Sequence, residues 1–219
     1  MSKRFLITTL IICTLLVSSI GLANANMLVN GNFDDPLPSA LTNGTWGVYD
    51  SITSWTKGAG TAGIEVQKSA VVTPDTPSYY IELDSHYGKV NNSSMYQTLY
   101  LDLGSYELSW MYHARTNNAG DDNGIKGFIT ATGTTNQVAY LGEISKTKNN
   151  MISTWENVIW TFDISAAGTY DLYFAAYGKD NTLGGFIDSA ELNPVPEPAT
   201  LILLGSGLAG LAFYRRKRK

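Results

Sequence analysis

The 219-residue sequence is poor in cysteine, histidine and charge. Its one cysteine, Cys13, sits in an apolar stretch near the N-terminus, so no disulfide framework holds the remainder. Ile12 before it is too large for a lipoprotein cleavage site. Only two histidines occur, His86 and His113, with no cysteine beside them and no metal-type spacing, which excludes the common zinc patterns. No nucleophile-elbow pattern accompanies them. Basic residues are scarce where they would matter for nucleic acid. Between Asn26 and Val195 there are eight Lys and Arg against 18 Asp and Glu, a net charge of −10. So acidic a region repels phosphate backbones and excludes nucleic acid as a partner. Long hydrophobic runs are confined to the two ends.

Those ends have distinct readings. Lys3 and Arg4 precede an apolar run, Phe5 to Leu22, and Ala23-Asn24-Ala25 follows as an A-x-A cleavage site. Residues 1–25 therefore read as a secretory signal peptide. At the other end Ala199 to Tyr214 carries no charge, and five basic residues, 215–219, follow. Sixteen helical residues span about 24 Å, somewhat short of a hydrocarbon core of about 30 Å. Arg215 and Arg216 can snorkel and Tyr214 can sit at the interface, so a transmembrane helix over about 199–214 is expected. Gly205-Ser206-Gly207-Leu208-Ala209-Gly210 fits G-x-G-x-x-G, but a dinucleotide site needs a surrounding βαβ unit, and nine residues cannot complete one.

Pro196-Glu197-Pro198, a short apolar helix and a basic cluster, in this order, resemble the PEP-CTERM sorting signal of exported bacterial proteins over residues 194–219. The resemblance implies an exosortase-type membrane enzyme as partner, which recognises the Pro-Glu-Pro motif and removes or transfers the tail. It also implies a host that makes extracellular polysaccharide, membrane anchoring by the C-terminal helix before processing, and a cell-surface or matrix location after it. Proline favours an extended segment ahead of the helix, so the motif suits an exposed strip at the membrane boundary.

Residues 26–193 form the domain between these signals. Tyr106, Leu108, Trp110 and Tyr112 alternate with Glu107, Ser109, Met111 and His113. The same period of two runs through 158–164 and 170–177, where Val158, Trp160 and Phe162, then Tyr170, Leu172 and Phe174, hold the apolar positions. Further strands are expected at Met27–Asn30, Ile64–Gln67, Tyr79–Asp84, Met95–Leu101, Ile125–Ala131, Gln137–Ile144 and Gly185–Leu192. About ten strands with turn-rich connections predict an all-β sandwich. Leu28-Val29-Asn30-Gly31-Asn32-Phe33-Asp34 at the start, Tyr80 to Ser85 and Gly104 to Trp110 within, and Gly184 to Leu192 at the end are together similar to the galactose-binding-like jelly rolls common among carbohydrate-binding modules. The resemblance implies a jelly roll with its first and last strands close together. It also implies a structural calcium at Asp34 and Asp188, although Asp34 capping a turn and Asp188 at a solvated strand end explain the two residues equally.

Two carboxylates, Glu82 and Asp84, lie two apart on an expected strand and would share a face. A polysaccharide hydrolase could use such a pair, but solvated or ion-paired carboxylates are the commoner outcome. Binding without catalysis fits the composition better. All five tryptophans and all but one of the 13 tyrosines lie between the signals, and aromatic faces stack on sugar rings while polar groups fix the hydroxyls. The candidate carbohydrate-binding residues are Trp46, Tyr49 and Trp55 in a Gly-rich stretch, Tyr87 in a loop, and His113 with Arg115 opposite the Trp110 face. Trp110, Trp155 and Trp160 are expected in the core. The expected function is a non-enzymatic exported protein that binds extracellular polysaccharide. A surface protein acting through protein contacts is the alternative.

Overall fold

The computed structural model describes residues 26–35, 41–76, 78–85, 92–115, 124–146, 154–196, 205–207 and 210. Asn26–Val195 forms one compact unit. The compact unit is a sandwich of two antiparallel sheets. Its strands are β1 (Trp46–Tyr49), β2 (Ser51–Ile52), β3 (Trp55–Lys57), β4 (Ile64–Gln67), β5 (Tyr80–Leu83), β6 (Ser94–Leu101), β7 (Gly104–His113), β8 (Gly124–Ala131), β9 (Gln137–Ile144), β10 (Glu156–Ile164), β11 (Gly168–Tyr177) and β12 (Gly185–Pro194). The first sheet runs β1-β4-β5-β12-β7-β10, and the second β2-β3-β6-β11-β8-β9.

Alternation decides which face each strand buries. Along β7, Tyr106, Leu108, Trp110 and Tyr112 point inward and are buried, while Glu107, Ser109 and Met111 are only partly covered. The inner faces of the two sheets meet in one aromatic core. Trp110 packs edge-on against Phe174 of the second sheet (5.3 Å) and Trp160 of its own (5.2 Å). Trp160 reaches across to the second sheet, where Gly127 and Gly142 are register partners. A Cβ on Gly127 would lie 2.5 Å from the Trp160 ring and one on Gly142 2.6 Å from its indole nitrogen, so only glycines leave room for it.

Two expectations are corrected here, and three short strands are added. Met27–Asn30 is a turn rather than a strand. Asn30 and Phe33 take positive φ (55° and 56°), and the Asn26 carboxamide oxygen accepts from the Leu28 and Leu192 amides. The opening segment still lies against the last strand, through Met27 N–H to Leu192 O and Ala190 N–H to Gly31 O. The short strands β1, β2 and β3 lie where no alternation is visible in the sequence. Trp155 stands outside the core, partly exposed ahead of β10.

Gly205, Ser206, Gly207 and Gly210 are helical; the rest of the expected span over about 199–214, the basic tail 215–219, and Glu197 and Pro198 lie outside the described residues. Among the described residues no helix is long and apolar enough to cross a membrane.

Candidate ligand-binding faces

The outer face of the second sheet carries a row of aromatic rings built by register rather than by sequence neighbourhood. Tyr173 on β11 is the direct cross-strand partner of Tyr96 on β6 and of Phe128 on β8, and Phe128 is the partner of Tyr140 on β9. Tyr96 and Tyr173 stack at 5.0 Å, and Tyr173 and Phe128 at 4.8 Å with only 7° between their planes. Rings lying flat side by side cannot come that close, so the three stand as a block. Within the block the stacked rings cover one another's faces, with Tyr173 in the middle. Tyr140 adds a ring that is 50% exposed.

A groove of about 730 Å³ runs beside this block, with Tyr96, Tyr173 and Asp171 on one side and the β8–β9 turn, Thr132 to Asn136, on the other. Asp171 is buried there, and its carboxylate accepts from the Thr98 and Thr132 hydroxyls and the Gly133 amide. That anchoring fixes the turn as a wall. The Thr130 hydroxyl, on the same face, is buried without a hydrogen-bond partner. A second hollow of about 310 Å³ opens on the other side of Tyr96. The face thus offers apolar edges flanked by hydroxyl, amide and carboxylate groups.

The outer face of the first sheet is organised differently. Here Glu65, Gln67, Tyr80 and Glu82 are all buried beneath the segment 68–76. The Gln67 amide donates to both glutamates and accepts from the Tyr80 hydroxyl. Tyr80 in turn accepts from the amides of Val71 and Val72. Arg115 donates to Glu82 at 2.5 Å, and the Gly184 amide does so at 2.9 Å. Burial raises the Glu82 carboxyl well above its ordinary value; Arg115 opposes this and Glu65 reinforces it. The segment is held further by Trp155, whose indole donates to Thr73 O.

The Asp75 and Thr76 amides and the Thr76 hydroxyl donate to Asp188, whose carboxyl burial pushes up to about 6. Asp34 accepts from the Tyr79 amide. Asp34 and Asp188 therefore hold the same stretch of chain. Among the described residues no group of three His, Cys, Asp or Glu side chains is arranged to hold a metal.

The sequence-derived binding candidates do not converge on one surface. Trp55 is fully buried between Phe33 and Phe174, with its indole donating to Asn30 O; it is a core residue at the floor of the hollow beside Tyr96. Tyr49 turns toward the core, its ring against Gly47. Trp46 is partly exposed at the edge strand β1, opposite Gln67. His113 and Arg115 are on the same side of the first sheet as Trp46, but both are buried; His113 is four strands away, about 19 Å at ordinary strand spacing, and Arg115 turns its guanidinium to Glu82 on β5, two strands from β1. Tyr87 lies outside the described residues. Asp84 does not share a strand face with Glu82, because it follows the end of β5 with φ 135° and accepts from the Asn181 and Leu183 amides. The row Tyr96–Tyr173–Phe128–Tyr140 escaped sequence reasoning. Its one local signal is Tyr173, which sits opposite the buried positions of the 170–177 run.

Residues 194–219 match the family model for the PEP-CTERM protein-sorting motif. The chain carries a PEP-CTERM sorting signal. This signal indicates export and surface sorting and implies recognition by an exosortase. No curated protein matches the chain. Solved structures similar to it include TmCBM61 in complex with β-1,4-galactotriose, at 18% identity over 78% of this chain and 99% of that one, with a TM-score of 0.46. The CBM22-1 xylan-binding domain from Paenibacillus barcinonensis Xyn10C is 11% identical over 70% of this chain and 94% of that one, with a TM-score of 0.45. An arabinose-bound MgGH51 α-L-arabinofuranosidase is 11% identical, with a TM-score of 0.52; the match covers 81% of this chain and 27% of that chain. The domain ahead of the sorting signal is a jelly-roll β-sandwich of two antiparallel sheets.

Proposed function

We propose that this protein is a non-catalytic, exported carbohydrate-binding protein that holds extracellular polysaccharide on the outer face of its second sheet. The observation that carries the reading is the cross-strand block Tyr96–Tyr173–Phe128 beside a groove lined with hydrogen-bonding groups. Apolar C–H faces of a sugar pack on ring surfaces, and hydroxyls find partners in the flanking threonines, Asn136 and Asp171. The acidic domain favours a neutral polysaccharide over a polyanion. Glu82 and Asp84 are engaged in holding backbone and Arg115 in place, which supports binding rather than hydrolysis.

Affinity electrophoresis in gels containing β-1,4-galactan, xylan or the host's own polysaccharide tests this reading. Retardation in at least one gel, clearly weakened in Tyr173→Ala, is expected. A folded protein that runs freely in all three refutes it.

The remaining parts of the proposal concern the ends and a metal. The N-terminal 25 residues are removed on export, and the C-terminal helix holds the protein in the membrane until an exosortase acts at Pro196-Glu197-Pro198. A calcium ion sits by Asp34 and Asp188. Asp34 and Asp188 would hold it with backbone oxygens, because the two carboxylates grip the amides of Asp75, Thr76 and Tyr79 and Asp188 is buried. The ion would neutralise that carboxylate and tie the opening segment to β12.

A further inference from the structure

The outer face of the first sheet contains a cleft of about 640 Å³ that the second-sheet site does not use. We propose that this cleft is a second saccharide site, so that the domain grips two glycan segments from opposite faces of the sandwich. The ligand class rests on the reading of the second sheet given above; the site itself rests on its own geometry.

The central group is His113, 4% exposed and lining the cleft. Its Nδ1 lies 2.7 Å from Ala114 O. A carbonyl oxygen only accepts, so Nδ1 carries the proton. In the neutral ring Nε2 is then a bare acceptor, and no side chain or backbone group of the described residues meets it. Asp75, also on the cleft wall and exposed, uses Oδ2 to accept from Ser189 Oγ, and among the described residues no donor meets its Oδ1. Trp155 contributes an apolar wall, because its indole N–H is already given to Thr73 O and its ring stands edge-on to His113 (5.3 Å) and Tyr80 (5.8 Å). Met111 and Pro74 complete the apolar lining.

Two unfilled acceptors beside an aromatic wall suit a ligand that brings hydroxyl donors and an apolar face, which a neutral sugar residue does. The walls are fixed in advance. The segment 71–76 is tied to Tyr80, Trp155 and Asp188 by hydrogen bonds of 2.8–3.1 Å. Little ordering is left for binding to offset. Met111 and His113 point away from the core on β7, whereas Tyr173 points away from it on β11 of the other sheet. The two sites therefore face in opposite directions, and one chain can bridge two polysaccharide strands, raising retention in a network far above either single affinity.

The presence of only two histidines makes the test direct, since the imidazole proton signals of the full exported chain can be followed by NMR. The probes are β-1,4-galactotriose, xylotriose and neutral oligosaccharides cut from the host polysaccharide. The expected result is a saturable shift of the His113 signals with at least one probe, retained in Tyr173→Ala and abolished in Thr154→Trp, which fills the cleft from its exposed rim. Wild-type protein should also gel or precipitate the intact polysaccharide, and neither single variant should. Silent His113 signals with every probe overturn the second site; if Tyr173→Ala still removes retardation in the gels, the second-sheet reading stands alone. A His113 shift with unchanged affinity and stoichiometry in Tyr173→Ala supports the cleft and overturns the second-sheet site instead.

Discussion

Removing the guanidinium of Arg115 should be among the most damaging single changes that leave the hydrophobic core untouched. Glu82 is fully buried, Arg115 donates to it at 2.5 Å, and Glu65 lies in the same network. Arg115→Met keeps most of the aliphatic volume and takes away the positive charge. Breaking one side of a buried pair costs about 3–5 kcal/mol, because the remaining charge stays desolvated. For a domain of this size each kcal/mol moves Tm by about 2–4 °C, so a fall of roughly 6–20 °C is expected at pH 7. The loss should depend on pH in a defined sense. Glu82 already has a folded-state carboxyl raised above the ordinary 4.5 by burial, with Arg115 pulling it down. Without Arg115 it rises further. A carboxyl raised in the folded state stabilises the fold increasingly as pH falls through its folded value toward 4.5. The gap between variant and parent should therefore narrow on acidification. Thermal unfolding by circular dichroism at pH 7, 6 and 5 measures it. A drop below about 3 °C at pH 7, or a drop that grows on acidification, would refute the argument. The double variant with Glu82→Met should lose less than the two single losses together, by about 0.5–3 kcal/mol.

Trp55→Ala should cost about 3–5 kcal/mol and destabilise binding only through the fold, which a comparison of Tm with affinity at low temperature checks. Tyr173→Ala should weaken polysaccharide retention about tenfold or more while costing about 1–3 kcal/mol of stability, since it removes two stacking contacts from a half-buried ring. Chelation should lower Tm in the parent and leave Asp188→Asn unchanged; an unaltered parent Tm removes the calcium from the account. Glu197→Ala should leave the domain folded and leave unprocessed, full-length chain in the membrane fraction, seen by immunoblot.

The strands most legible in the sequence are those with one buried face over eight or more residues, and the four-residue β4 and β5 could be read as well. In β7 and β10 the alternation is nearly unbroken, and the structure buries the residues it singles out. The strands from Trp46 to Lys57 are two to four residues long, too short for a period to show. The turn at Met27–Asn30 looked like a strand because its apolar residues are real core contacts, Leu28 among them, while its backbone is set by Asn26 and two positive φ angles. The binding face was hidden for a different reason. Tyr96, Phe128, Tyr140 and Tyr173 come from four strands, and only the register brings their rings together. Local patterning can say that Tyr173 faces outward. It cannot say what stands beside it. Tryptophan in a glycine-rich stretch drew attention instead, and one of these, Trp55, became the centre of the core.

The attachment of the sorting signal to β12 has a mechanical consequence. Residues 185–194 form an interior strand, paired with β5 through Gly185–Ile187 and with β7 along most of its length. Tension applied through the C-terminal segment runs along this strand, at right angles to its interstrand hydrogen bonds. Those bonds are then sheared together rather than peeled one after another. A cell or polymer network that tugs on this protein pulls on an interior strand paired on both sides, so the load is shared by two ladders before the domain unravels.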